Sequence, residues 1–234
     1  MVDKLINIAL AEVGYLEKKS KDNLDSKTAN AGDNNYTKYA RDMMKYNAGI
    51  FANGFAWCDT FVDWCFVKAF GAEQAEKMLW GWSAYTPTSS GYFKNKKQWH
   101  TKNPKKGDII FFKNASGTIC HTGIVYKVDV DYVYTVEGNT SSASGVVANG
   151  GSVEKKKYAL THSRIAGYGR PEYPKKEETK LAKTGMEIVN ALISKYGIKI
   201  DDKERAAKAL DEAKYNQQYL SLYWMFYKLV NGNG

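Results

Sequence analysis

Gly54-Phe55-Ala56-Trp57-Cys58-Asp59-Thr60-Phe61-Val62-Asp63-Trp64-Cys65 reads as a loop running into a helix with a cysteine at its entrance. Cys58, Phe61, Val62, Cys65 and Ala69 recur at the i, i+3, i+4, i+7 spacing of a helix facing a core. Gly71 stands where a C-terminal cap belongs. Cys58 therefore falls in the first turn, where free backbone N–H groups and the positive end of the dipole stabilise a thiolate. The thiolate is the nucleophilic form of cysteine.

The other two cysteines read differently. Cys65 lies two turns along the same apolar stripe and is expected in the core. Cys120 precedes His121 in a strand pattern, so it points to the opposite face and reads as buried packing. Three cysteines, an odd number, do not form a disulfide framework.

A second stretch supplies a base. His121-Thr122-Gly123-Ile124-Val125-Tyr126-Lys127-Val128 and Tyr132-Val133-Tyr134-Thr135-Val136-Glu137-Gly138-Asn139 read as two strands of a hairpin turning at Val130. With that register His121 faces Asn139, Gly123 faces Glu137, and His121, Glu137 and Asn139 share one side of the sheet. Either Glu137 or Asn139 then orients the imidazole. A helix-entrance Cys followed by a strand His and a polar orienter is a papain-like set for nucleophilic attack on an amide. His100 and His162 are weaker alternatives for the base. No Cys-x-x-Cys or His-x-x-x-His pair exists, so neither a zinc site nor any other cofactor is expected.

Elsewhere, residues 3–16 read as an amphipathic helix, 17–35 as a polar loop and 36–46 as a short helix. Asp22, Asp25, Asp33 and Asn34 do not fit a calcium-loop spacing, and that segment reads as a solvated turn. Residues 72–80 read as a helix, and 81–106, rich in Gly, Pro, aromatics and lysines, as a long loop lining a cleft. Strands are expected at 109–112, near 155–160 and at 165–169, with a Gly- and Ser-rich loop over 141–151. Trp57, Trp82, Trp99 and His100 are the residues expected to bind substrate.

Domain organisation follows from a composition break at residues 174–180, read as a linker between a first domain, 1–173, and a helical module, 181–234. That module reads as a helical hairpin, with Asp201-Asp202-Lys203-Glu204 as a capping box. Tyr215, Tyr219, Tyr223 and Tyr227 recur every fourth residue there. Its last segment is apolar nearly all round and must dock on protein, self-associate or bind a target. The net charge of +9 suits polyanionic surroundings, but no base-reading helix stands out, so nucleic acid is not an expected partner. No apolar run is long enough for a membrane span, and no signal peptide is read at the N-terminus.

Four segments together resemble the CHAP family of cysteine- and histidine-dependent amidohydrolases and peptidases. They are Phe55 to Val62, Gly107 to Phe112, His121 to Val125 and Val136 to Asn139. The resemblance covers about residues 1–173. It implies an α+β, papain-like fold, with N-terminal helices packed on an antiparallel sheet, and hydrolysis of a peptidoglycan amide bond, as an N-acetylmuramoyl-L-alanine amidase or an endopeptidase. By position Cys58 matches the nucleophile, His121 the base, Glu137 the orienting acid and Asn139 the polar residue completing the site. The appended tail resembles phage endolysins, which implies action on a Gram-positive wall after holin-type release. A bacterial autolysin of the same family and a non-catalytic wall-binding or assembly protein are the competing readings.

Overall fold

The computed structural model describes residues 1–141, 151–174, 184–213 and 220–231. The chain divides into two compact units, Met1–Pro174 and Lys175–Gly234. The predicted linker and part of the 141–151 loop, together with Tyr215 and Tyr219, lie outside the described residues.

The first unit holds α1 (Val2–Ala11), α2 (Lys38–Met43), α3 (Cys58–Phe70), α4 (Ala72–Leu79) and α5 (Thr86–Asn95). Its strands are β1 (Trp99–His100), β2 (Ile109–Lys113), β3 (Ile119–Val128), β4 (Tyr132–Thr140), β5 (Ser152–Ala159) and β6 (Ile165–Gly169). The strands form one sheet in the order β1-β6-β2-β3-β4-β5, antiparallel throughout. Helices packed on an antiparallel sheet make this an α+β fold, as expected.

α3 is the organising helix. The predicted stripe of Cys58, Phe61, Val62, Cys65 and Ala69 is buried, and so are Asp59, Thr60, Asp63 and Trp64 on its flanks. A helix buried on nearly all sides has few positions left for solvent-facing charge. It packs with Ile109, Phe111, Ile124 and Val136 from one face of the sheet and with Leu5, Tyr39 and Met43 from the N-terminal helices. Gly71, at φ +80°, ends it as expected. Gly138 lets β4 come close, since a Cβ there would lie 2.7 Å from both Phe61 and Trp57. The other face of the sheet carries a smaller core of Ile110, Phe112, Val125, Val133 and Tyr168.

Four local expectations are corrected. α1 ends at Ala11 rather than near residue 16, because residues 14–16 leave to pair with the start of β5: Gly14 N–H donates to Val153 O and Leu16 bridges Ser152. The expected loop over 81–106 contains α5 and β1. Pro87 opens α5 within its first turn, while Gly91 weakens the helical pattern that would have marked it. The hairpin turn is a two-residue loop, Val130-Asp131, closed by Asp129 N–H on Tyr132 O and by Asp129 Oδ1. It pairs Lys127 with Tyr134, and a bulge at Tyr126 restores the Ile124–Val136 pairing expected near the site.

The second unit is the fourth correction. Its described residues hold three helices rather than two: α6 (Gly185–Tyr196), α7 (Lys203–Ala213) and α8 (Leu220–Asn231). Ile188, Leu192, Ala213 and Tyr223 form their common core. The capping box is Thr184 with Glu187, at the start of α6. At α7 it is Asp202, not Asp201, whose Oδ1 accepts from Arg205 N–H at 2.8 Å. No helix among the described residues is long and apolar enough to cross a membrane.

Candidate active site

Cys58 is the first residue of α3. It is buried, 5% exposed. The N–H groups of the first helical turn have no partner inside the helix, so the backbone around Cys58 presents donors.

His121 is buried near the start of β3. Its Nε2 lies 2.9 Å from Glu137 Oε2, and Cys58 is close enough to the ring to act on its titration. With Nε2 held by Glu137, Nδ1 is left for the sulfur. Burial alone pushes the imidazole pKa down. Hydrogen bonding and charge attraction from Cys58 and Glu137 outweigh it, raising the pKa from 6.5 to about 10. The ring is therefore an imidazolium at neutral pH, and its Nε2–H donates to Glu137.

Glu137 is itself fixed. Thr135 Oγ1 donates to Oε1 at 2.5 Å, and Tyr158 OH donates to Oε2 at 3.2 Å. Burial and the neighbouring carboxylate push the Tyr158 pKa well up, so it stays a donor. Gly123 makes the space, because a Cβ there would lie 2.5 Å from Glu137 Cγ. Thr135, Tyr158 and Gly123 were not singled out from sequence. Thr135 was findable by strand alternation, two residues before Glu137. Tyr158 needed the β4–β5 register, which places it opposite Val133 on the same face.

Asn139 does not do what alternation predicts. Its φ is +52° and the β4–β5 ladder shifts between Glu137 and Thr140, so the strand is no longer regular there. Its Oδ1 is buried without a hydrogen-bond partner, and Glu137 alone of the two orients His121.

The expected substrate-binding residues are dispersed. Trp57 is a core residue, a correction to its expected role: Nε1 donates to the buried Glu17 carboxylate at 2.8 Å and the ring stacks on Tyr39. Trp82 lines a cleft of about 510 Å³ beside the entrance of α3. Trp99 packs against Phe111, beneath Gly167, and His100 pairs with Tyr168 on the far strand of the sheet. Neither is part of that cleft.

The other cysteines and histidines stay outside the arrangement. Cys65 is buried in the main core, which raises its thiol pKa well above the ordinary value. Cys120 is half-exposed, not buried as expected. It is the second residue of β3. His162 lies edge-on to Tyr158, and its Nδ1 accepts from Arg164 N–H at 3.3 Å.

Residues 50–139 match the family model described as the CHAP domain. That match covers 90 of the chain's 234 residues. The match begins just before α3 and ends on Asn139, so it spans Cys58, His121 and Glu137. Two solved structures are similar at low identity. "The crystal structure of Ly7917" is 14% identical with a TM-score of 0.42, and "The crystal structure of Ly7917 with the hydrolyzing product of MDP" is 17% identical with a TM-score of 0.34. Each comparison covers 73% of this chain and 62% of the other, so this chain matches less than two thirds of those proteins. No curated protein sequence matches the chain.

Proposed function

We propose that this protein hydrolyses an amide bond of bacterial peptidoglycan through Cys58. The observation that carries the reading is the buried His121–Glu137 pair, 2.9 Å apart, acting beside Cys58 at a helix entrance. The Cys58 thiolate attacks the amide carbonyl, forming a C–S bond. Backbone N–H groups at the start of α3 stabilise the resulting oxyanion. His121 gives its Nδ1 proton to the leaving amine as the C–N bond breaks. Water, deprotonated by the now neutral imidazole, then attacks the thioester; the C–S bond breaks, releasing the acyl product as an acid and restoring the thiolate and the imidazolium. Glu137 keeps the ring turned and favours its charged form between proton transfers, which makes it a positioning residue.

The decisive experiment measures the groups released from purified Gram-positive peptidoglycan. Cys58→Ala is expected to abolish release with the circular dichroism spectrum unchanged. Release at the parental rate by that variant would refute the reading.

The two-unit organisation supports a lytic role of the endolysin type. Expression behind a membrane pore of holin type is then expected to lyse a Gram-positive host, and expression without the pore is not. The helical unit supports self-association. Leu222, Trp224, Met225 and Leu229 leave an apolar surface exposed on α8.

A further inference from the structure

Glu17 is a buried carboxylate that the chemistry above does not use. It is 1% exposed, and its two oxygens accept from different segments: Oε2 from Trp57 Nε1–H at 2.8 Å and Oε1 from Asn35 N–H at 3.3 Å. Its own N–H donates to Gly151 O at 3.2 Å, just before β5. Burial pushes the carboxyl pKa up, against the hydrogen bonds from Trp57 and Asn35. A buried acid costs stability that an apolar side chain would not. Both segments it joins lead to the nucleophile. Asn35 O accepts from Gly54 N–H at 3.1 Å and Asn53 Oδ1 from Thr37 N–H at 2.8 Å, so the loop entering α3 is pinned to residues 35–37. Trp57 is the N-cap residue of α3, yet its side chain makes no capping hydrogen bond. A Ser, Thr or Asp cap would take up N–H groups of the first turn, the donors that a thiolate and an oxyanion need. The entrance is fixed through the indole instead. Glu17 holds its N–H, Tyr39 stacks on it at 5.4 Å, and Gly138 of β4 lies against its far edge.

We propose that Glu17 is a positioning residue for the nucleophile: through the Trp57 indole it sets where Cys58 stands relative to His121. The inference rests on the reading of Cys58 as the nucleophile. Trp57 adjoins Cys58 in the chain, and Gly138, which its ring meets, adjoins Glu137. One ring therefore spaces the helix entrance from the strand that carries the orienting acid. Without the carboxylate the indole N–H is buried and unpaired, and the ring shifts to satisfy it. A displacement of about 1 Å at the sulfur costs on the order of 10²-fold in rate.

The test uses the full chain. Glu17→Met keeps the length and removes both acceptors, Glu17→Gln keeps one accepting oxygen, and Trp57→Phe keeps a ring and removes the donor. Met78→Ala, at a buried position of α4 outside this hydrogen-bond set, is the structural control. Rates are measured on soluble peptidoglycan fragments, and alkylation of each cysteine by iodoacetamide near neutral pH is resolved by peptide mass. Glu17→Met and Trp57→Phe are each expected to lower kcat about 10- to 100-fold with KM little changed, and Glu17→Gln less. Their double variant is expected to lose no more than the larger single loss, since both act through one hydrogen bond. Alkylation of Cys58 is expected to slow about tenfold, because a sulfur moved from His121 loses thiolate character. Cys65 is expected to stay unreactive. Met78→Ala is expected to lower Tm with kcat and Cys58 alkylation unchanged. A merely structural role for Glu17 would loosen the fold and speed alkylation of both Cys58 and Cys65. That result, additive losses in the double variant, or parental kcat in Trp57→Phe would overturn the proposal. Trp57→Phe alone decides if Glu17→Met does not fold. Failure of the hydrolase reading would show separately, as fragments hydrolysed by Cys58→Ala.

Discussion

Glu137 Oε2 lies 2.9 Å from His121 Nε2, with both side chains buried and the carboxylate held from behind by Thr135 and Tyr158. A charged acceptor in a dry site fixes the ring orientation and favours the imidazolium. Glu137→Gln preserves size and loses the charge. Its kcat on peptidoglycan is expected to fall about 10²- to 10⁴-fold with KM little changed, the range for disabling an acid–base group. A KM effect alone would place Glu137 in substrate binding.

The same pair sets a pH dependence. The folded-state pKa of His121 is raised from 6.5 to about 10 by Cys58 and Glu137 against the effect of burial. A raised base stabilises the fold fully below pH 6.5, and that contribution is lost as pH rises through about 10. Activity that needs the imidazolium to protonate a leaving amine falls on the same limb. The pH–rate profile is therefore expected to show an alkaline limb near pH 10, moving toward neutrality in Glu137→Gln. A limb that stays put in the variant would mean another group titrates.

Gly123 is expected to be needed for activity although it touches no substrate. An alanine Cβ would sit 2.5 Å from Glu137 Cγ and 2.9 Å from the Val136 carbonyl. Both the carboxylate and the strand would have to move. Gly123→Ala should cost about 1–3 kcal/mol of stability, as overpacking does, and should lower kcat further than a comparable substitution in the second core. Thermal melts and initial rates on the same preparation measure the two effects.

Much of this was legible because period and helix position are written in residue types. The α3 stripe, the Gly71 cap and the β3–β4 hairpin each follow from local pattern, and the hairpin alone brings Glu137 to His121. What escaped reading is non-local. The bulge at Tyr126, the positive φ of Asn139 and the Trp57–Glu17 hydrogen bond depend on partners distant in sequence. Trp57 shows the difficulty most plainly. An aromatic beside a nucleophile suggests substrate contact, but a buried carboxylate forty residues earlier draws its indole into the core. α5 escaped because its helix formers are interrupted by Pro87 and Gly91 and its one deeply buried aromatic is Phe93.

Asp59 and Asp63 occupy successive turns of α3, buried together against Ser83 and Ser89. Burial raises the Asp59 pKa from 3.8 to about 7, with Ser89 and Ser83 opposing it, and burial raises Asp63 as well, aided by the Asp59 charge. A raised acid stabilises the fold fully below its unfolded pKa of 3.8, and that contribution is lost as pH rises through about 7. Asp59→Asn removes the charge but keeps an acceptor for Ser89. It is expected to stabilise the fold at pH 8, read as a higher Tm, and to leave Tm unchanged near pH 3.5. Equal shifts at both pH values would show that the carboxyl is ionised without penalty.

The helical unit gives the last prediction. α8 buries Tyr223 against α6 and α7, and Tyr227 stacks on it, yet Leu222, Trp224 and Met225 are 46%, 45% and 53% exposed. A two-sided apolar helix in water is stable when a second surface covers its outer side. A second copy of the chain offers the same surface, and a two-fold pairing would place like residues against each other. Light scattering on the intact protein is therefore expected to report a mass above the 26.3 kDa of one chain. Leu222→Glu with Met225→Glu, substituted on the exposed side, should return it to a single-chain mass without loss of helix content. Hydrolysis of soluble peptidoglycan fragments should be unaffected, because the chemistry resides in the first unit. If the intact protein already runs as a single chain, the outer side of α8 is reserved for another occupant, and retention of the Cys58→Ala variant on purified wall, with and without residues 175–234, becomes the deciding measurement.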